Sequence, residues 1–138
     1  MSCELTPIGT VKNGIHKRPE KWADILSEIH IKKEFQEALN GLSDFSHIMV
    51  IFYLHLSGGS VLKVHPRGRG DLPEVGVFST RAPVRPNPLG VSIVELVKIE
   101  ENILTVKGLD TFDQTPILDI KPHLPTVSPK RMPEWVRR

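Results

Sequence analysis

Val77–Ser92 reads VFSTRAPVRPNPLGVS, a run in which Arg81, Arg85 and Asn87 are spaced among Pro83, Pro86 and Pro88. Each proline fixes its own φ and pushes the preceding residue toward extended geometry. Arg85 and Asn87 therefore project from a stiff, non-helical backbone. A guanidinium can grip a carboxylate or phosphate at two points or stack on an aromatic base, and a preset backbone lowers the entropy lost on binding. The same prolines would equally serve a rigid edge loop. Two other groups could carry chemistry: Asp110 with Asp113, and His55 at the end of an apolar run.

Other chemistries find little support. One cysteine, and six histidines without a paired i, i+4 or C-x-x-C spacing, speak against a zinc site. No serine sits in a nucleophile-elbow glycine pattern, and the Gly68-Arg69-Gly70 segment does not open a helix as a phosphate loop or dinucleotide fingerprint would. Arg69-Gly70-Asp71 is too short a match to support a cell-adhesion role.

The chain has 138 residues and a formal net charge of +2. That length predicts one domain, residues 1–138, with residues 126–138 as a flexible basic tail. Charge is uneven along the chain. Residues 61–90 set Lys63, Arg67, Arg69, Arg81 and Arg85 against Asp71 and Glu74, a balance of +3. The last eleven residues reach +3 as well, whereas residues 91–127 set three lysines against six acids, a balance of −3. A basic middle beside an acidic region suits a site meeting an anionic polymer on one side and a cationic group on the other. The longest apolar run, Ile48–Leu54, is too short to cross a bilayer. The start lacks the pattern of a signal peptide, and Cys3 has no partner, so a cytoplasmic location is expected.

The elements that must position these groups are mostly strands. Leu5–Lys12 ends at Asn13-Gly14, a turn signal. Glu28–Lys32 alternates, with Ile29 and Ile31 on one face. Lys33–Leu42 places Phe35, Leu39 and Leu42 at helical spacing, predicting a short amphipathic helix that caps the sheet. Phe45–Leu56 barely alternates, which predicts burial on both faces or contact with another subunit. Val61–Val64 and Val75–Phe78 are short strands, Leu89–Ile99 and Ile103–Leu109 form a hairpin, and Ile117–Ile120 closes the series. About seven strands, one short helix and no strand-helix alternation predict an all-β fold, a small antiparallel β-barrel.

The runs GVFSTRAPVRPNPLGVSIVEL, GLDTFDQTPILDIKPHLP and SHIMVIFYLH, with IGTV near the start, resemble the TsaA-like or TrmO family over residues 6–125. That resemblance implies a β-barrel methyltransferase that binds S-adenosyl-L-methionine near a homodimer interface. Its substrate would be N6 of the threonylcarbamoyl-modified adenosine beside the anticodon of tRNA, with no metal and no membrane involved. It implies cofactor contacts from His55, Leu56, Arg81, Val91, Leu109, Asp110, Thr111, Phe112 and Asp113. An arginine would hold the carboxylate and an aspartate the ammonium or ribose; which aspartate takes which is open. Asp113 is the expected proton acceptor, and Arg67, Arg85 and Asn87 the expected contacts to RNA. The chain departs from the family in reading Asp113-Gln114-Thr115-Pro116 where relatives have DGTP, and HKRPEKWADI where they have a cofactor loop. Many relatives also carry an extra C-terminal domain. The alternatives are a non-catalytic RNA-binding or cofactor-sensing barrel, and a methyltransferase with a small-molecule substrate.

Overall fold

In the computed structural model, which describes residues 1–138, strands with alternating inward and outward side chains set the architecture. The strands are β1 (Gly9–Lys12), β2 (Leu26–Ile31), β3 (His47–Tyr53), β4 (Lys63–Val64), β5 (Val75–Gly76), β6 (Leu89–Glu100), β7 (Ile103–Lys107) and β8 (Pro116–Pro122). Six of them close into an antiparallel barrel in the order β1-β2-β7-β6-β3-β8, while β4 and β5 pair separately as an arm. Closure leaves no barrel edge unpaired.

The inward residues form one core of Val11, Ile29, Ile31, Ile48, Val50, Phe52, Val94, Leu104, Val106, Leu109 and Ile117. Burying each such side chain contributes about 1.5–3 kcal/mol. Two glycines make close approaches possible. A Cβ on Gly9 would stand 2.5 Å from the His30 carbonyl oxygen, and one on Gly90 would overlap the Phe52 ring. At the β6–β7 hairpin Glu101 adopts a φ of 55°, and Asn102 Nδ2 donates to the Ile31 carbonyl at 2.6 Å, tying the turn to the end of β2.

The expected helix over Lys33–Leu42 is instead a pair of 3-10 turns, Lys33–Leu39 and Leu42–Asp44. Neither turn has a side-chain N-cap bond, and Gly41 at a φ of 86° breaks the run between them. The packing expectation survives this change, because Phe35, Leu39 and Leu42 still cover the core. The first strand is shorter than Leu5–Lys12, beginning at Gly9 just past Pro7, which has no N–H to donate.

β3 corrects the expectation of a strand buried on both faces. Ile48, Val50 and Phe52 point inward, whereas Met49, Ile51 and Tyr53 lie outside beside Ile93, Val91 and Leu89 of β6. The exposures of Tyr53 (42%), Leu89 (40%), Val91 (53%) and Ile93 (43%) make this an uncovered apolar stripe on the barrel wall.

The arm has a small core of its own in Pro66, Leu72 and Val77. Arg69 clasps Asp71 in two-point fashion beside it, through Nε to Oδ1 at 3.1 Å and Nη2 to Oδ2 at 2.5 Å. The C-terminal residues form a 3-10 turn at Glu134–Arg137 that lies against the arm. Arg67 Nη2 donates to the Trp135 carbonyl at 3.3 Å, and Arg69 Nη1 to the Arg138 carbonyl at 2.6 Å.

Candidate functional site

Beyond β7 the chain continues beside β6 as Leu109–Asp113, and each residue of this segment has a distinct surrounding. Leu109 buries its side chain in the barrel core, so only its backbone can meet a ligand. Asp110 is exposed and accepts a short hydrogen bond from Ser92 Oγ on β6. Thr111 is buried, its Oγ1 2.9 Å from Thr115 Oγ1. Phe112 meets Trp22 edge to face, with ring centroids 5.6 Å apart.

Asp113 is a clamp. Its Oδ1 accepts from the backbone N–H groups of Asn13 at 2.8 Å and Gly14 at 3.0 Å, and its Oδ2 from Gln114 Nε2 at 3.0 Å. The backbone N–H groups of Gly14 and Asn13, then the Gln114 amide, hold its carboxyl down to about 2, with a further contribution from the nearby His16. A carboxylate so engaged is a poor proton acceptor at neutral pH. Gln114 sits at a φ of 69° and accepts from Lys12 Nζ at 3.0 Å.

Asn13 completes the clamp, a role sequence reading assigned only to a turn. Its Nδ2 donates to Ser27 Oγ and to the Thr111 carbonyl, both at 3.0 Å, while its Oδ1 accepts from the Ile15 N–H at 2.9 Å. The last bond is the usual asparagine turn, and it is the one signal in the sequence that could have marked the residue.

His55 and Leu56 follow β3 after Leu54, whose N–H donates to the Pro88 carbonyl at 2.8 Å. Val91 stands on β6 opposite Ile51. His55, Leu56, Val91 and Asp110 thus come from three adjacent chain segments, the end of β3, the start of β6 and the continuation of β7. The fold brings these four sequence-predicted residues to one end of the barrel.

Arg81 belongs to the arm side. The proline-rich loop is anchored by Ser57 Oγ donating to the Pro83 carbonyl at 2.8 Å and by the Val61 N–H donating to the Val84 carbonyl at 3.1 Å. Arg85 folds back on the same loop: its Nη1 donates to the Thr80 and Ala82 carbonyls at 2.9 and 3.1 Å, and its guanidinium lies 6.0 Å from the Phe78 ring centroid. Arg85 therefore shapes the backbone that carries Arg81. Asn87 is exposed.

Arg81 opens into a cavity of about 1060 Å3 that Arg18, Arg67, Phe78 and Trp135 also line, with no carboxylate in its wall. Neither Arg18, Arg67 nor Arg81 is in an ion pair. None of His55, Leu56, Val91 or Leu109–Asp113 lines this cavity. Within one chain the expected cofactor residues thus fall into two sets, one at the barrel end and one on the arm. Sequence reading singled out neither Arg18, within the HKRPEKWADI stretch, nor Trp135, which lies near no recognisable motif.

The family model for the tRNA-methyltransferase O N-terminal domain matches residues 8–128. The chain is 44% identical over 128 residues to a probable S-adenosyl-L-methionine-binding protein of Methanothermobacter thermautotrophicus, covering 89% of this chain and 91% of that one. It is 36% identical over 138 residues to the tRNA (adenine(37)-N6)-methyltransferase of Escherichia coli, covering 90% of this chain but 59% of that protein. The crystal structure of TrmO from Pseudomonas aeruginosa superposes with a TM-score of 0.73 at 31% identity, over 91% of this chain and 57% of that one. The chain thus spans less than two thirds of the relatives that carry the methyltransferase and TrmO names.

Proposed function

Because the chain belongs to the tRNA-methyltransferase O N-terminal domain family, we propose that it is an S-adenosyl-L-methionine-dependent methyltransferase acting on tRNA. Its target is N6 of the threonylcarbamoyl-modified adenosine beside the anticodon. The observation that carries this reading is the unpaired Arg81 in a cavity without carboxylates, set against the free carboxylate oxygen of Asp110. This donor set fits a ligand that ends in both a carboxylate and an ammonium.

When bound, S-adenosyl-L-methionine supplies an electrophilic methyl group on a positively charged sulfur. Arg81 holds the carboxylate end, and Asp110 accepts from the ammonium or a ribose hydroxyl. His55, Leu56 and Val91 cover the remaining surface and exclude water. Arg67 and Asn87 face the RNA, while Arg85 serves through the loop it closes. Positioning of the two reactants can supply about 7–11 kcal/mol of the acceleration. The nitrogen that receives the methyl becomes cationic and strongly acidic, so its proton passes to solvent without a dedicated base. Asp113 acts by holding the loop, in place of the proton-acceptor role expected from sequence, because three hydrogen bonds stabilise its charged form and hold its carboxyl well below the usual carboxylate range.

We place the two sets of cofactor residues in one site by pairing two chains. The apolar stripe of Tyr53, Leu89, Val91 and Ile93 supports a homodimer, since it includes Val91 of the barrel-end set and stands exposed on the barrel wall. A cytoplasmic location accords with a tRNA substrate and with the exposed, unpaired Cys3. No helix is long and apolar enough to cross a membrane.

Incubation of the protein with the labelled cofactor and tRNA, followed by nucleoside mass spectrometry, tests the reading. The expected product is the threonylcarbamoyl adenosine carrying one additional methyl on N6. A cofactor-binding barrel without transfer activity is the second reading, favoured by the near full-length match to an archaeal relative described as a binding protein. Calorimetric binding of the cofactor with no methylated nucleoside would select it.

A further inference from the structure

The arm cavity holds more than an anchor for one carboxylate. Three guanidiniums and two aromatic rings line it, and its volume of about 1060 Å3 suits a ligand of nucleotide size or above. With Arg81 assigned to the cofactor carboxylate, Arg18 and Arg67 remain without any acid in the wall to balance them. The cofactor itself bears a sulfonium and an ammonium against a single carboxylate, so its body is repelled by these cations. An anionic polymer is attracted.

Trp135 lines the same cavity, and its backbone carbonyl is held in place. Arg67 Nη2 donates to its carbonyl at 3.3 Å, and the same turn is held again where Arg69 Nη1 meets the Arg138 carbonyl at 2.6 Å. Arg69 is itself immobilised by its two-point clasp on Asp71. Arg67 adopts a φ of 54°, a left-handed conformation costly for a residue with a side chain, and so its placement is imposed by its surroundings. Trp135 is half-buried and lines the cavity.

We propose that Trp135 is the stacking platform on which this cavity receives an unstacked base of single-stranded RNA, with the adjoining phosphate taken by Arg18 or Arg67. This rests on the tRNA reading above and names the residues that would meet the loop. A planar group joined to an anion is also what the cofactor's adenosine offers, and the experiment separates the two.

The chain has two tryptophans, so Trp22→Phe leaves Trp135 as the sole indole and keeps a ring against Phe112. This variant is titrated with an RNA hairpin carrying an unpaired loop, with a fully paired RNA duplex, and with S-adenosyl-L-methionine. Hairpin affinity is then compared among the unaltered protein, Trp135→Ala and Trp135→Phe. The hairpin is expected to quench Trp135 and the duplex to leave it unchanged. Trp135→Ala should weaken hairpin binding about tenfold, and Trp135→Phe should restore most of it. Unchanged hairpin affinity in Trp135→Ala would overturn the proposal and leave the tRNA reading standing. Quenching by the cofactor alone, with cofactor affinity lost in Trp135→Ala, would reassign the platform to the adenosine. An unaltered protein that binds neither RNA would remove the tRNA reading and this proposal together.

Discussion

Asp113→Asn tests how the loop beside the cofactor residues is held. The carboxyl lies at about 2 in the folded protein against an ordinary 3.8. That difference is worth about 2 kcal/mol at most. Partial solvent exposure reduces it to about 1 kcal/mol. Because the folded value is depressed, the contribution is full above pH 4 and is lost as pH falls through about 2. Asparagine cannot carry the charge. The variant should therefore be less stable by about 1 kcal/mol at neutral pH, or about 4 °C in Tm, and the two proteins should converge toward pH 2. Urea unfolding followed by tryptophan fluorescence across this pH range measures the gap. A gap that stays constant with pH, or no gap at neutral pH, would refute the clamp. Turnover supplies a second check. A positioning role predicts a loss of less than about tenfold, whereas removal of a general base would cost about 10²–10⁴-fold. A well-folded variant with turnover reduced a thousandfold would therefore return Asp113 to the acceptor role.

Four other outcomes follow from contacts described above. Arg81→Ala should weaken cofactor binding by about ten- to a hundredfold in calorimetry, as expected for loss of a charged hydrogen bond. Arg85→Ala should weaken it less, through the freed Thr80 and Ala82 carbonyls, and leave the salt dependence of RNA binding unaltered; a slope reduced by about 0.7 would instead put Arg85 on a phosphate. Ile93→Lys should give a folded monomer in sedimentation, because it places a charge in the apolar stripe; an intact dimer would mean that another surface pairs. Gln114→Gly should raise stability by up to about 1 kcal/mol, since relief at a φ of 69° exceeds the loss of exposed bonds to Lys12 and Asp113; a lowered Tm would reverse that balance.

Period-two patterning made the barrel legible. Ile29 and Ile31 share the inner face of β2 as their alternation predicted, and the Leu89–Ile99 and Ile103–Leu109 segments form the expected hairpin as β6 and β7. β3 misled because its outer residues Met49, Ile51 and Tyr53 are as apolar as its inner ones, so alternation was hidden in composition although burial alternates. Lys33–Leu42 misled for a different reason. Helical spacing of Phe35, Leu39 and Leu42 recorded a packing requirement that short 3-10 turns satisfy equally well.

The site was less legible than the fold. Motif residues marked the right segments, but side-chain direction depends on partners distant in sequence. Arg85 turns its Nη1 donors to Thr80 and Ala82, and Asp113 turns its Oδ1 to Asn13 and Gly14. A pattern of residue types cannot distinguish a guanidinium closing a loop from one awaiting a phosphate. Trp135 was invisible for the same reason, since only the docking of the last turn on Arg67 and Arg69 brings it to the cavity.

The seam of the barrel has a consequence for how the molecule is made. β1 joins β8 through only two register pairs, Gly9 with Ile117 and Thr10 with Pro116, the shortest strand pairing in the barrel and one that spans nearly the whole chain. During synthesis β1, β2, β3, β6 and β7 can assemble into a sheet as each emerges, but that sheet keeps two bare edges, on β1 and β3, until β8 arrives. Closing so long a loop for so few bonds is slow relative to local pairing. The nascent chain therefore spends its most aggregation-exposed interval as an open sheet, and the rate at which the last barrel strand finds both neighbours sets the yield of folded protein.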